Sequence, residues 1–323
     1  MPLTPRDVDP ALLLWPELRG GAARLVNHSE NHTFLVDTPD GRCFALRVHR
    51  EHYQSRPTIE SELTWLVALR RDTEVPVPRP VAGSTGALIH SFETGQGPRL
   101  AVLFEYLPGM EPDFDSDLPA VFATLGHYAA RMHYHVASWQ RPAGFERQAW
   151  TAASILDADG LWGNWRVAPG VNAGNRPILD QLDAALRQRL ADYGMGARRY
   201  GLIHADMRLG NLLLDGEKLH LIDFDDAGFC WFMYDFAAAI SFHETHAIIP
   251  ELKAAWLEAY RQVRRLEPDD ISALDSMVML RRMALLAWIG SHSETALAQQ
   301  HMPGFADGTA QLAERYMRGP IWR

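Results

Sequence analysis

The apolar residues of this 323-residue chain change their spacing part-way along. Over residues 22–50 they alternate, in "AARLVNHS", "TFLVDT" and "CFALRVHR", with "PDG" as a hairpin turn between the last two. "ALIHSF" and "RLAVLFEYL" predict two more strands. Between these groups, "PTIESELTWLVALRR" (57–71) spaces Leu63, Leu66 and Leu69 for one helical face behind Pro57. "VPVPRPV" then forces extended chain, because a residue preceding proline avoids the α region. Beyond "PGMEPDFDSDLP" the period becomes helical, in "PAVFATLGHYAARMHYHVASW", "ILDQLDAALRQRLADYG", "YDFAAAISFHE", "PELKAAWLEAYRQVRRL" and "DDISALDSMVMLRRMALLAWIGS". Only "RYGLIHA" and "KLHLIDFD" read as strands there, and residues 141–176 carry no regular pattern. The expectation is an α+β chain of two lobes. Residues 1–107 form a small antiparallel sheet of about five strands with one main helix, and residues 108–323 a larger, mostly helical lobe.

Composition narrows the partners. A formal charge of −9 lacks the clustered basic residues of a nucleic-acid footprint. Cys43 and Cys230 are far apart and without metal spacing, as expected in a reducing cytosol. The start is neither signal peptide nor membrane span, and Arg281 and Arg282 interrupt the most apolar later run, "MVMLRRMALLAWIG". A cytoplasmic chain without membrane or nucleic-acid partners is expected. Positive charge is almost wholly arginine, since Lys218 and Lys253 are the only lysines.

The chemistry concentrates in "GLIHADMRLGNLLLDG", residues 201–216, and the strand after it. The first short strand delivers His204, Asp206 and, after four intervening residues, Asn211; the second delivers Asp223. Two carboxylates and an amide held by a tight strand-loop-strand suit a magnesium-nucleotide kinase. One Asp accepts the proton of an incoming hydroxyl, while Asn and the other Asp hold the metal bridging the phosphates. Taken singly, Asp206 or Asn211 could equally cap a turn. There is no G-x-x-x-x-G-K-[ST] stretch, which removes the P-loop class.

These stretches resemble the aminoglycoside phosphotransferase/choline kinase family, which shares the protein-kinase architecture. "IHADMRLGNLLLDG" resembles its catalytic loop, "LIDFDDAG" its metal-binding segment, and "YDFA" a segment whose Asp235 is usually structural. "SENHTFLV" resembles the phosphate-facing turn, "FALRVHR" the strand of the phosphate-anchoring cation, and "FEYLPG" the hinge. The similarity covers most of the chain and is nearest the bacterial branch of stress-response Ser/Thr kinases and type II homoserine kinases. It implies ATP and Mg2+, with Asp206 as catalytic base, Asn211 and Asp223 as metal ligands, and His204 supporting the loop. It also implies that Ser29 and Asn31 lie at the phosphates and that the backbone of Glu105 faces adenine. Glu62 would pair with the strand cation, with Glu60 as the competing register.

One departure is the strand cation itself: Arg47 stands where the family has lysine. Arginine keeps the charge and clamps phosphate bidentately; the alternative is a nucleotide-binding regulator without turnover. His49 and Arg50 are expected to be solvated. Asp225 is either a second metal contact, sharing a strand face with Asp223, or a solvated loop residue. "FHETH" has His243 and His246 three apart, not the four of a zinc helix. Trp162 and Trp165 are read as loop anchors rather than acceptor contacts, and the acidic run from Glu111 to Asp117 as a solvated loop. The expected reaction moves the γ-phosphoryl of ATP to an alcohol. The expected acceptor is a small homoserine- or amino-alcohol-type molecule, with a protein Ser/Thr hydroxyl second and an aminoglycoside third.

Overall fold

The computed structural model describes residues 3–28, 31–51 and 53–322. In chain order these carry α1 (Asp9–Leu12), β1 (Ala22–His28), β2 (Asn31–Asp37), β3 (Cys43–His49), α2 (Arg56–Asp72), β4 (Pro80–Val81), β5 (Ile89–Thr94) and β6 (Gly97–Glu105). Next come α3 (Leu118–Ser138), α4 (Ala152–Leu156), α5 (Arg176–Tyr193), β7 (Tyr200–Ile203), β8 (Leu212–Asp215), β9 (Lys218–Leu221) and β10 (Gly228–Trp231). The chain ends with α6 (Tyr234–Ala239), α7 (Ile249–Val263), α8 (Pro268–Ser291), α9 (Ala296–His301) and α10 (Phe305–Arg318). They divide into two compact units. One comprises Met1–Met110, Arg141–Arg147 and Leu213–Asp225; the other comprises Glu111–Gln140, Gln148–Leu212 and Asp226–Arg323.

The first unit is built on an antiparallel sheet ordered β1-β2-β3-β6-β4, with β5 also paired to β6. Alternation along β2 and β3 sends Phe34, Val36, Phe44, Leu46 and Val48 into one core. Residues 3–18, which carry no strong period, close that core with Leu3, Val8, Leu12 and Trp15. Each such side chain contributes about 1.5–3 kcal/mol when fully buried. The helix expected over 57–71 is α2. Ser55 Oγ caps it by accepting from the Thr58 N–H at 3.3 Å. Its buried face carries Ile59, Glu62, Leu63, Leu66 and Leu69, so one carboxylate lies among the apolar residues.

In the second unit α3 packs along α7. A Cβ on Gly126 would meet the Trp256 backbone, which is why the two helices approach so closely there. Over much of its length α8 is buried all round, as a core helix must be when its apolar residues form no stripe. Among the described residues no helix is long and apolar enough to cross a membrane.

Several elements differ from expectation. The strand expected over 218–225 stops at Leu221, and Asp223 takes a left-handed φ of 62°. Asp223 and Asp225 therefore share no strand face. The helix expected through Glu244 stops at Ala239, because Phe242 turns left-handed (φ 71°) and donates its N–H to Glu244 Oε1 at 3.2 Å. β10 pairs with β7 but is only four residues long, too short for a period. α10, not among the expected elements, buries Phe305, Leu312 and Tyr316 along one face with Ala306, Ala310 and Ala313.

Candidate active site

β7 ends directly before His204 and Asp206, and the second unit fixes that segment through its backbone. Asp235, at the start of α6, accepts the Ala205 N–H at 2.7 Å and the His204 N–H at 3.3 Å. His133 of α3 is fully buried and holds Asp235 in turn, with Nε2 2.9 Å from Oδ2 and Nδ1 3.0 Å from the Tyr260 hydroxyl. These bonds hold Ala205 left-handed at φ 67°, a conformation that costs about 1–3 kcal/mol and needs such over-determination. His204 Nδ1 accepts the Asp206 N–H at 3.2 Å.

The Asp206 carboxylate is held from both sides. Arg281 of α8 donates Nη2 to Oδ1, Nη1 to the Ala205 carbonyl at 3.2 Å and Nε to Ser241 Oγ at 2.9 Å. Asn211 Nδ2 donates to Asp206 Oδ2 at 2.6 Å and to its carbonyl at 2.8 Å, and Arg208 Nε lies 3.4 Å from Oδ2. Burial alone would raise the carboxyl's pKa, but Arg281, then Arg208 and His204, outweigh it and hold Asp206 below the usual carboxylate range. Asn211's amide nitrogen is thus committed, which leaves its oxygen as the atom free to ligate.

The first unit gathers a second cluster. Arg47, on β3, donates Nη2 to Glu62 Oε1 at 2.5 Å, and its Nη1 lies 3.4 Å from Asp223 Oδ1. Glu62, not Glu60, therefore meets the strand cation; Glu60 lies 3.8 Å from Arg56. The Arg47 and Glu62 side chains are 7% and 1% exposed, whereas Asp223 is 43% exposed. Asn31 is buried, donating to Asp225 Oδ2 at 3.0 Å. Burial pushes the Asp225 carboxyl up to about 7 against the pull of Arg47. Arg147 donates to the carbonyls of Thr58, Phe224 and Asp225, tying the start of α2 to the segment of Asp223.

The remaining expected residues fall as follows. Ser29 lies outside the described residues. The Glu105 N–H donates to the Arg79 carbonyl at 3.0 Å, and its carboxylate pairs with the same arginine at 2.9 Å. His49 is buried, contrary to the expectation of a solvated side chain: it sits on the face of β3 that also carries Arg47, close enough to feel the charges of Arg47 and Arg147. Trp165 is buried and donates Nε1 to Asp183 Oδ2 at 3.2 Å. Trp162 packs edge-on against Trp150 and lies over the Arg281 guanidinium at 5.0 Å. His243 and His246 both pack on Phe114. Arg281, Arg147 and His133 were not singled out as site residues by the sequence. The available signal was two permanent cations inside an apolar helix, at Arg281 and Arg282.

Among the described residues no three His, Cys, Asp or Glu side chains converge as metal ligands. The Asn211 amide oxygen in the second unit and the Asp223 carboxylate in the first are each hard oxygen donors, of the kind that suits a small divalent ion.

Known proteins agree with this chemistry. The phosphotransferase enzyme family (APH) matches residues 22–268. The structure of a microcompartment-associated aminopropanol kinase is 41% identical, with 97% of each chain covered and a TM-score of 0.89. An amicoumacin kinase solved with AMP-PNP, Ca2+ and Ami is 21% identical over 97% of this chain and 92% of that one, with a TM-score of 0.75. The homoserine kinase of Methylobacillus flagellatus is 28% identical over 280 residues, 84% of this chain and 78% of its own. The fold is thus the two-lobed α+β kinase fold, and the activity is small-molecule phosphotransfer to a hydroxyl group. On the match across most of its length, the chain belongs to the APH phosphotransferase enzyme family.

Proposed function

We propose that this enzyme transfers the γ-phosphoryl group of ATP to the hydroxyl of a short amino alcohol of the aminopropanol type, with Mg2+ as its metal and the cytoplasm as its place. The observation that carries the acceptor class is the 41% identity to an aminopropanol kinase over 97% of both chains. Asp206 orients the acceptor hydroxyl and takes its proton. A carboxylate held ionised suits this role, because in a loose phosphoryl-transfer transition state positioning matters more than base strength. Asn211 and Asp223 hold the metal through oxygen. When bound, the ion neutralises charge on the phosphates. Arg47, aimed by Glu62, anchors phosphate with its fork of donors. The Asn31 side chain fixes the phosphate-facing strand by its bond to Asp225. Adenine rests on backbone groups around Glu105. Residues 1–107 then serve the nucleotide and residues 108–323 the acceptor.

The test is ADP release with Mg-ATP across aminopropanol, homoserine, choline, an aminoglycoside and a generic protein. Aminopropanol is expected to give the highest kcat/KM. Saturable ATP binding with no acceptor-dependent ADP would instead favour the regulator reading that Arg47 raises.

A further inference from the structure

The two consecutive arginines of α8 do different jobs on one short segment. Arg281 bonds both Asp206 and Ser241 Oγ, so a single guanidinium links the base to residue 241. Arg282 donates Nη1 to Glu244 Oε2 at 2.8 Å and Nη2 to the Phe305 carbonyl at 3.1 Å and Thr309 Oγ1 at 2.9 Å. Glu244, itself buried, then accepts the Phe242 N–H. Between these two anchors Phe242 is left-handed at φ 71°, which is unfavourable for an aromatic residue. It is one of only three non-glycine residues with positive φ among the described residues; the others are Ala205 and Asp223, both in the proposed catalytic machinery. The strain has a visible consequence. It ends α6 and turns the Phe242 ring onto His301, where the two stack at 4.0 Å and 13°.

Arg208 also reaches Asp206 Oδ2, at 3.4 Å. Asp206, Arg281, Ser241 and Phe242 are thus joined in one chain, with its polar part at the carboxylate and its flat apolar part the Phe242–His301 stack. Neither stacked residue is fully buried. Trp288 and Phe305 also pack against the Phe242 ring, at 6.3 and 5.9 Å. Through Arg281 and Ser241, the carboxylate of Asp206 is tied to the residue that precedes this aromatic stack. An aromatic face also suits both methylene groups and an ammonium.

We infer that Phe242, backed by His301, is the wall of the acceptor site that limits the chain length of the amino alcohol. The inference rests on the amino-alcohol reading above. It assigns Phe242 a specificity role that the aliphatic chain, not the phosphates, would feel.

The test compares kcat/KM for aminopropanol and aminohexanol in wild type, Phe242→Gly and His301→Ala. Glycine accepts the left-handed backbone, so Phe242→Gly removes the ring without adding strain. His301→Ala changes only the backing of the wall. The ratio of the two substrates is taken within each preparation, so loss of folded enzyme cancels. The ratio is expected to move about tenfold toward aminohexanol in Phe242→Gly, and in the same direction by less in His301→Ala, with KM for ATP kept. A ratio unchanged in both variants, in an enzyme that phosphorylates aminopropanol, overturns the wall and leaves the proposed function standing. A wild type that phosphorylates no amino alcohol removes the proposed function itself, and the wall with it.

Discussion

Arg281 bonds the carboxylate of Asp206 across 75 residues of sequence, from the mostly apolar middle of α8. Burying a guanidinium there costs desolvation free energy that a leucine would not. What the arginine adds is a fixed direction for Asp206 Oδ1. Arg281→Met is expected to lower kcat about a hundredfold, the scale of a misplaced reacting group, with KM for ATP nearly kept and Arg281→Lys recovering part of the loss. Steady-state kinetics check this. A rise in KM for ATP at unchanged kcat would move Arg281 out of the acceptor chemistry.

Arg47 and Glu62 form a pair almost without solvent. Truncating one partner strands a buried charge, which costs about 3–5 kcal/mol. Arg47→Met should therefore lose stability of that order in denaturant unfolding and also lose most ATP use. Arg47→Lys should regain stability, since the ammonium can still meet Glu62. A stable Arg47→Met enzyme with wild-type rates would show that phosphate is anchored elsewhere.

Metal dependence follows from the ligand roles proposed for Asn211 and Asp223. EDTA is expected to stop turnover and Mg2+ to restore it. Asp223→Asn, which keeps an oxygen but removes charge, should raise the Mg2+ concentration for half-maximal rate. Titration of the rate against Mg2+ checks this, and an unchanged requirement counts against Asp223 as a ligand.

Two buried histidines set the acid side of stability. Burial holds His133 below its ordinary 6.5 despite the pull of Asp235, and burial with Arg47 and Arg147 holds His49 well below it. The folded state thus binds protons more weakly than the unfolded chain, which makes stability rise with pH through that window. Acidification below about pH 6.5 is expected to lower the unfolding free energy, by at most about 1.4 kcal/mol per pH unit for each histidine. His133→Gln, which keeps hydrogen-bonding capacity, should flatten the slope. Equal slopes for variant and wild type would contradict the assignment.

The candidate catalytic loop could be read from the sequence because Asp206, Asn211 and Asp223 lie within eighteen residues, beside two recognisable short strands. The choice between Glu60 and Glu62 could not, since both are compatible with the helix and only the facing strand decides. His49 opens the solvent-like sequence "HREH", yet β3 turns it to the face that carries Arg47. The end of α6 was hidden for another reason. "AAISF" continues an apolar helix, and what stops it is Glu244 holding the Phe242 N–H, itself fixed by Arg282, 38 residues away from Glu244. Arg281 read as an interruption of an apolar run because its partner is distant in sequence. Local period finds elements; it does not find the long-range charge that closes the site.

The most direct measurement is product analysis with purified enzyme, Mg-ATP and aminopropanol. The account predicts phosphoaminopropanol and ADP in equal amounts from wild type, and neither above background from Asp206→Asn, although that variant still binds ATP. ADP without the phosphorylated alcohol, or an Asp206→Asn rate equal to wild type, would contradict it.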